Sequence, residues 1–166
     1  MQVGSGIGSR LGNARLMDRP LVVIHERRGY WAGQLRARLH DRPARWRETR
    51  GTADLLLAAS SSPVPIVILD LGDRPAEVLE RLVRLSVSSP SSLVLALDPG
   101  DRPELRQPAR EFGASAFWPG FAPPPRVAAL VDRWLALARQ RLSRVGRAAL
   151  PEAEPDPADP MTLLAT

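Results

Sequence analysis

Five short apolar runs alternating with helix-length amphipathic segments predict a three-layer, doubly wound α/β domain. Its five-stranded parallel sheet is expected in the order 2-1-3-4-5. Two further observations support this class. The runs are continuously apolar rather than alternating, as strands covered on both faces must be. Five strand–helix units also fit into about 125 residues, the size of the smaller doubly wound sheet.

The first run is "LVVIHE", Leu21–Glu26, a buried strand. "YWAGQLRARLH" follows, with Trp31, Leu35 and Leu39 four apart on one helical face. "ARWRET" is shorter and more polar, as an edge strand would be. Thr52 is expected to cap the helix "ADLLLAAS", with Asp54 facing the positive end of its dipole.

The third strand, Ile66–Leu71, runs straight into Asp70. Asp73 and Pro75 start a helix whose Val78, Leu79, Leu82 and Leu85 form an apolar stripe, and "SVSSPSS" reads as a loop. "LVLALD", Leu93–Asp98, is the fourth strand. "RPELRQPAREFG" reads as a helix interrupted at Pro108 and ended by Gly113. "ASAFW" is the last strand. "PPPRVAALVDRWLALARQRL" is the longest helix, with Val127, Leu130, Val131, Trp134 and Leu137 or Ala138 inward and its arginines mostly outward. Together these elements give the flavodoxin-like arrangement.

Composition narrows the function classes. The chain has 166 residues and no cysteine, which excludes disulfides, thiolate metal sites and cysteine nucleophiles. All 23 basic residues are arginine, with no lysine. The formal charge of +5 would suit nucleic acid, but the basic residues are spread out and lack interleaved stacking aromatics. Nucleic acid is therefore not expected as a partner. No apolar run approaches the roughly 20 residues of a membrane span, and no apolar signal segment opens the chain. A cytoplasmic, membrane-free protein is expected.

Three segments follow. Residues 1–19 read as a flexible leader with no periodic apolar pattern, within which Met17 offers an alternative start. Its "GSGIGS" has no preceding strand and places Ser9 where a dinucleotide motif needs glycine. Residues 20–145 form the domain. Residues 146–166 read as a Pro-rich acidic, disordered tail carrying Glu152, Glu154, Asp156 and Asp159. "DRP" occurs four times, beginning at Asp18, Asp41, Asp73 and Asp101. The flanking sequences differ, so it is turn punctuation rather than a repeat.

Residues 20–143 resemble a bacterial response-regulator receiver domain. The resemblance rests on the order of units, on "VILDLGDRP" around Asp70, and on "AREFGASAFWP", similar to the family's Gly–Ala before strand 5 and its Lys–Pro after it. It implies a phosphoacceptor at Asp70, an acidic Mg²⁺-binding pair ending strand 1, a hydroxyl ending strand 4 and a lysine ending strand 5. Here the pair is His25–Glu26, the hydroxyl position falls at Ala96 or Leu97, and Trp118 replaces the lysine. The resemblance thus implies a degenerate, non-catalytic pseudo-receiver that needs no cofactor and acts through a protein partner or self-association.

The candidate interface is Trp118, Pro119, Phe121, Arg126 and Arg133, because in receivers partners dock on the face around strand 5. The alternative is a small ligand- or metal-binding domain, or an enzyme, using Glu26, Asp70 and Asp98 at the ends of strands 1, 3 and 4. Against it, these carboxylates are expected to cap helices and to pair with Arg27, Arg28, Arg74 and Arg102, with Asp70 held by such arginines. "HERRG" lacks the second histidine of a zinc motif, since Gly29 stands there. His40 ends a helix, where a cation faces the negative end of the dipole.

Overall fold

The computed structural model describes residues 19–148. The leader up to residue 18 and the tail from residue 149 lie outside the described residues. Within them the elements are β1 (Leu21–His25), α1 (Tyr30–Arg38), β2 (Arg45–Thr49), α2 (Thr52–Ser60), β3 (Ile66–Asp70), α3 (Pro75–Ser88), β4 (Leu93–Asp98), a 3₁₀ turn (Pro103–Leu105), α4 (Arg106–Glu111), β5 (Ala116–Pro119) and α5 (Pro124–Ala148). The sheet is parallel throughout, in the order β2-β1-β3-β4-β5.

The central strands are apolar because each feeds two cores. Residues of β1, β3 and β4 point alternately to opposite faces. Val22, Ile24, Ile66, Ile68, Leu95 and Leu97 pack under α1 and α5. Val23, Val67, Leu69, Val94 and Ala96 pack under α2, α3 and α4. Edge strand β2 keeps only Thr49 buried, which accounts for the polarity of "RWRET".

Three local readings are corrected. Thr52 is the first helical residue rather than the cap. Gly51 takes that position, and the Thr52 hydroxyl accepts from Arg81 Nε at 2.9 Å. Helix α3 extends through Ser88, so only part of "SVSSPSS" is loop. Pro108 lies in the first turn of α4, where its missing N–H has no helical acceptor to lose. The break falls between Leu105 and Arg106. The fully buried residues of α5 are Val127, Val131, Leu135 and Ala138, with Leu130, Trp134 and Leu137 half-buried beside them.

Candidate functional site

In this topology the C-terminal ends of β1, β3 and β4 converge, and the loops that follow them bound a cleft of about 870 Å³. Glu26 and Asp70 both line it. Asp98 and Trp118 do not.

Glu26 directly follows β1 and is buried. Its Oε2 accepts from the backbone N–H of Trp31 at 2.9 Å, and its Oε1 from that of Ala32 at 2.7 Å. These are free donors of the first turn of α1, and the capping residue Gly29 has no side chain to satisfy them. Both oxygens of Glu26 are therefore engaged in holding a helix end.

His25, also buried, lines the cleft as well and meets β2 and α3. Its Nδ1 lies 3.0 Å from Thr49 Oγ1, and its Nε2 lies 3.3 Å from Arg81 Nη1. Arginine can only donate, so Nε2 carries the lone pair and Nδ1–H donates to Thr49. Burial, seconded by the Arg81 charge, lowers the His25 pKa to about 4. The imidazole is neutral at physiological pH.

Asp70 is half-buried at the end of β3. Its Oδ1 accepts from Gly72 N–H at 3.0 Å. Burial raises its pKa. The Gly72 bond and the Arg28 charge pull it down and the Glu26 and Asp73 charges push it up, leaving it above its usual value. The expectation that arginines hold Asp70 is corrected: among the described residues no arginine forms an ion pair with it.

The arginine-held carboxylate is Asp98. It has no solvent exposure. Arg102 Nε donates to its Oδ1 at 3.0 Å, and Nη2 bonds the same oxygen. The Arg102 backbone N–H donates to Oδ2 at 2.7 Å, and Gly100 N–H to Oδ1 at 3.3 Å. Burial alone would raise the Asp98 carboxyl, but these bonds outweigh it and hold the group below the usual range. Arg102 Nη2 also donates to Gly72 O at 2.7 Å, tying the loop after β4 to the loop after β3. The guanidinium lies so close to Gly100 that a Cβ there would sit 2.8 Å from Nε. A side chain at Gly100 would have to displace the guanidinium from this position.

At the end of β5, Trp118 pairs in register with Leu97 and packs, half-buried, against the α1–α5 core. Pro119 is half-buried as well. Phe121 is 80% exposed and reaches the cleft rim. Arg126 and Arg133 are exposed, seven residues apart on one side of α5.

Among the described residues no three His, Asp or Glu side chains are grouped so as to hold a metal ion. The Mg²⁺ that serves phosphoryl transfer in receivers needs free carboxylate oxygens at the end of strand 1. Both oxygens of Glu26 already accept helix N–H groups, and the second position of the acidic pair is His25, whose ring nitrogens meet Thr49 and Arg81. The residues present do not fit that ion.

Two cleft residues were not picked out as site candidates from the sequence. Arg81 reaches His25, Thr52 and Glu77 from α3, a convergence only the fold creates. Arg50 had a legible signal. Each of the first four strands is followed within four residues by arginine, and Arg27, Arg28, Arg50, Arg74 and Arg102 all line the cleft.

No protein-family model matches the sequence, and no curated protein matches it. Solved structures do. The chain is similar to a CheY-like response-regulator receiver domain from Methanospirillum hungatei (TM-score 0.60, 10% identity, 74% of this chain and 98% of that one). It is similar to a response regulator from Thermotoga maritima (TM-score 0.59, 14% identity, 71% and 98%). A third is a Burkholderia pseudomallei response regulator solved with a phosphorylated aspartic acid, a calcium ion and citrate (TM-score 0.57, 17% identity, 82% and 77%). This is the receiver fold. The sheet order expected from the sequence is the one observed, and the receiver fold is what brings Glu26 and Asp70 to one cleft. Among the described residues no helix is long and apolar enough to cross a membrane.

Proposed function

We propose that the chain is a pseudo-receiver, a non-catalytic domain that binds a protein partner, or a second copy of itself, in bacterial signalling. It takes no phosphate in the usual way, requires no cofactor and works in the cytoplasm. Its degenerate phosphoacceptor-site positions are Glu26, Asp70, Asp98 and Trp118. The observation that carries this reading is the commitment of two of the carboxylates. Glu26 closes the end of α1 with both oxygens, and Asp98 is enclosed by Arg102. Phosphoryl transfer needs cations and donors arranged around the transferring group. The hydroxyl and lysine positions of the receiver pattern hold instead the buried, apolar Ala96 and Leu97 and the half-buried Trp118, and the cations of the cleft are arginines.

The same engagement weighs against the reading in which Glu26, Asp70 and Asp98 act together on a metal or substrate. The partner-binding face is Trp118, Pro119, Phe121, Arg126 and Arg133, which offers an exposed aromatic ring and exposed guanidinium groups, residue types enriched in interfaces. The test is capture of the partner from native cell extract, followed by an affinity measurement with the F121A/R126S/R133S variant. Weakening of about tenfold or more supports the face. Unchanged affinity refutes it.

A further inference from the structure

The cleft carries an unusual charge. Six arginines line it against four carboxylates, Glu26, Asp70, Asp73 and Glu77. Three of the six are spoken for. Arg102 is bound to Asp98, Arg81 to Glu77 and Thr52, and Arg74 to Glu77. The other three are not. Among the described residues Arg27 and Arg50 have no hydrogen-bond or ion-pair partner, and Arg28 faces Asp70 without bonding to it. All three are exposed and come from the ends of adjacent strands β1 and β2. Two aromatic rings complete the rim. Tyr30 is 48% exposed and stands edge-on to the buried Trp31, with ring centroids 5.1 Å apart, and Phe121 is 80% exposed.

From this we infer that the cleft binds, without covalent transfer, a nucleoside diphosphate-type ligand, its phosphates on Arg27, Arg28 and Arg50 and its planar base against the rim aromatics. Guanidinium forks match phosphate oxygens two at a time and carry a permanent charge. Three guanidinium groups without a bonded carboxylate match a ligand bearing several negative charges rather than one. The cleft volume is ample for a ligand of this size. Exposed aromatic rings offer a stacking surface to a base whatever its identity. The ligand would supply an input that Asp70 is not equipped to receive as phosphate. The inference stands independently of the protein-binding reading, since the two use different residues apart from Phe121.

Titration of the full chain with ADP, inorganic pyrophosphate and adenosine by calorimetry tests it. ADP is expected to saturate one site well below about 1 mM. R27S/R50S should weaken ADP and pyrophosphate by about tenfold or more, and a thermal melt should show that this variant stays folded. F121A should weaken ADP while leaving pyrophosphate unchanged. D70N should tighten ADP, because it removes a negative charge from the cleft. Three results would overturn the inference: no saturation by about 1 mM, ADP binding indifferent to R27S/R50S, or pyrophosphate binding as tight as ADP. Binding of RNA alone, with steep salt dependence, would overturn it in favour of a nucleic-acid surface.

Discussion

Arg102 grips Asp98 from four residues away along the chain, and the same guanidinium donates to Gly72 O across the cleft floor. A fully buried carboxylate at the end of β4 is thus neutralised from within its own loop, and the loops after β3 and β4 are fastened together. Removing the arginine would strand a desolvated charge. R102A is expected to lower stability by about 3 kcal/mol in urea denaturation. D98N/R102A, which removes the charge as well, should recover part of that loss. Equal losses in the two variants would show that the pair acts only by packing.

Glu26 caps α1, so its removal should be felt in that helix. E26A is expected to cost about 2 kcal/mol, since it frees two buried N–H groups of the first turn. Amide hydrogen exchange at Trp31 and Ala32 should accelerate ahead of exchange in β3. Uniform acceleration across the domain would contradict local capping.

His25 predicts an acid limb in stability. Its pKa is about 4 in the folded chain against an ordinary 6.5, so the unfolded chain takes up the proton first. The stability contributed by neutral His25 is complete above pH 6.5 and is lost progressively as pH falls toward about 4. H25Q should flatten the stability profile over that window. Asp98, held below the usual carboxylate range, acts in the same direction only at lower pH. An unchanged slope between pH 4.5 and 6.5 in H25Q would assign the limb elsewhere.

Asp70 works in the opposite direction. Its raised pKa means that ionisation is less favourable in the folded chain than in the unfolded one. Its contribution is therefore fully present at low pH and is lost as pH rises through the folded value. D70N keeps an oxygen for Gly72 N–H and should raise the thermal midpoint at neutral pH. A lowered midpoint would mean that the carboxylate has a cationic partner in solution.

Gly113, which follows α4 with φ +105°, is expected to tolerate no side chain. A Cβ there would approach Ser86 Cβ to 2.9 Å. G113A should cost about 2 kcal/mol in stability, and S86G/G113A should recover only the steric share. Complete recovery would show that the left-handed backbone carries no cost.

Much of the sheet was legible because its strands are buried on both faces. A run such as Ile66–Leu69 has no polar face to confuse with a helix, and its boundaries held to within a residue. Asp98 and Arg102 could also be read as a pair, being four apart in one loop. Asp70 could not be read correctly. Its nearest arginine in sequence, Arg74, turns to Glu77, while Arg102 is drawn to Asp98. On α5, Leu135 rather than the larger Trp134 lies on the innermost line with Val131 and Ala138, since helical phase outranks side-chain size. Convergence across the sheet, as in Thr49, His25 and Arg81, leaves no trace in local sequence.

On the proposed pseudo-receiver function, Asp70 occupies an acceptor position without the means to accept. Intact-mass analysis of the full chain after incubation with acetyl phosphate and Mg²⁺ decides this, with D70N as the control. No phosphoryl adduct is expected on the wild-type chain beyond the level seen in D70N. A hydroxylamine-labile phosphoryl adduct on the wild type that is absent from D70N would contradict it.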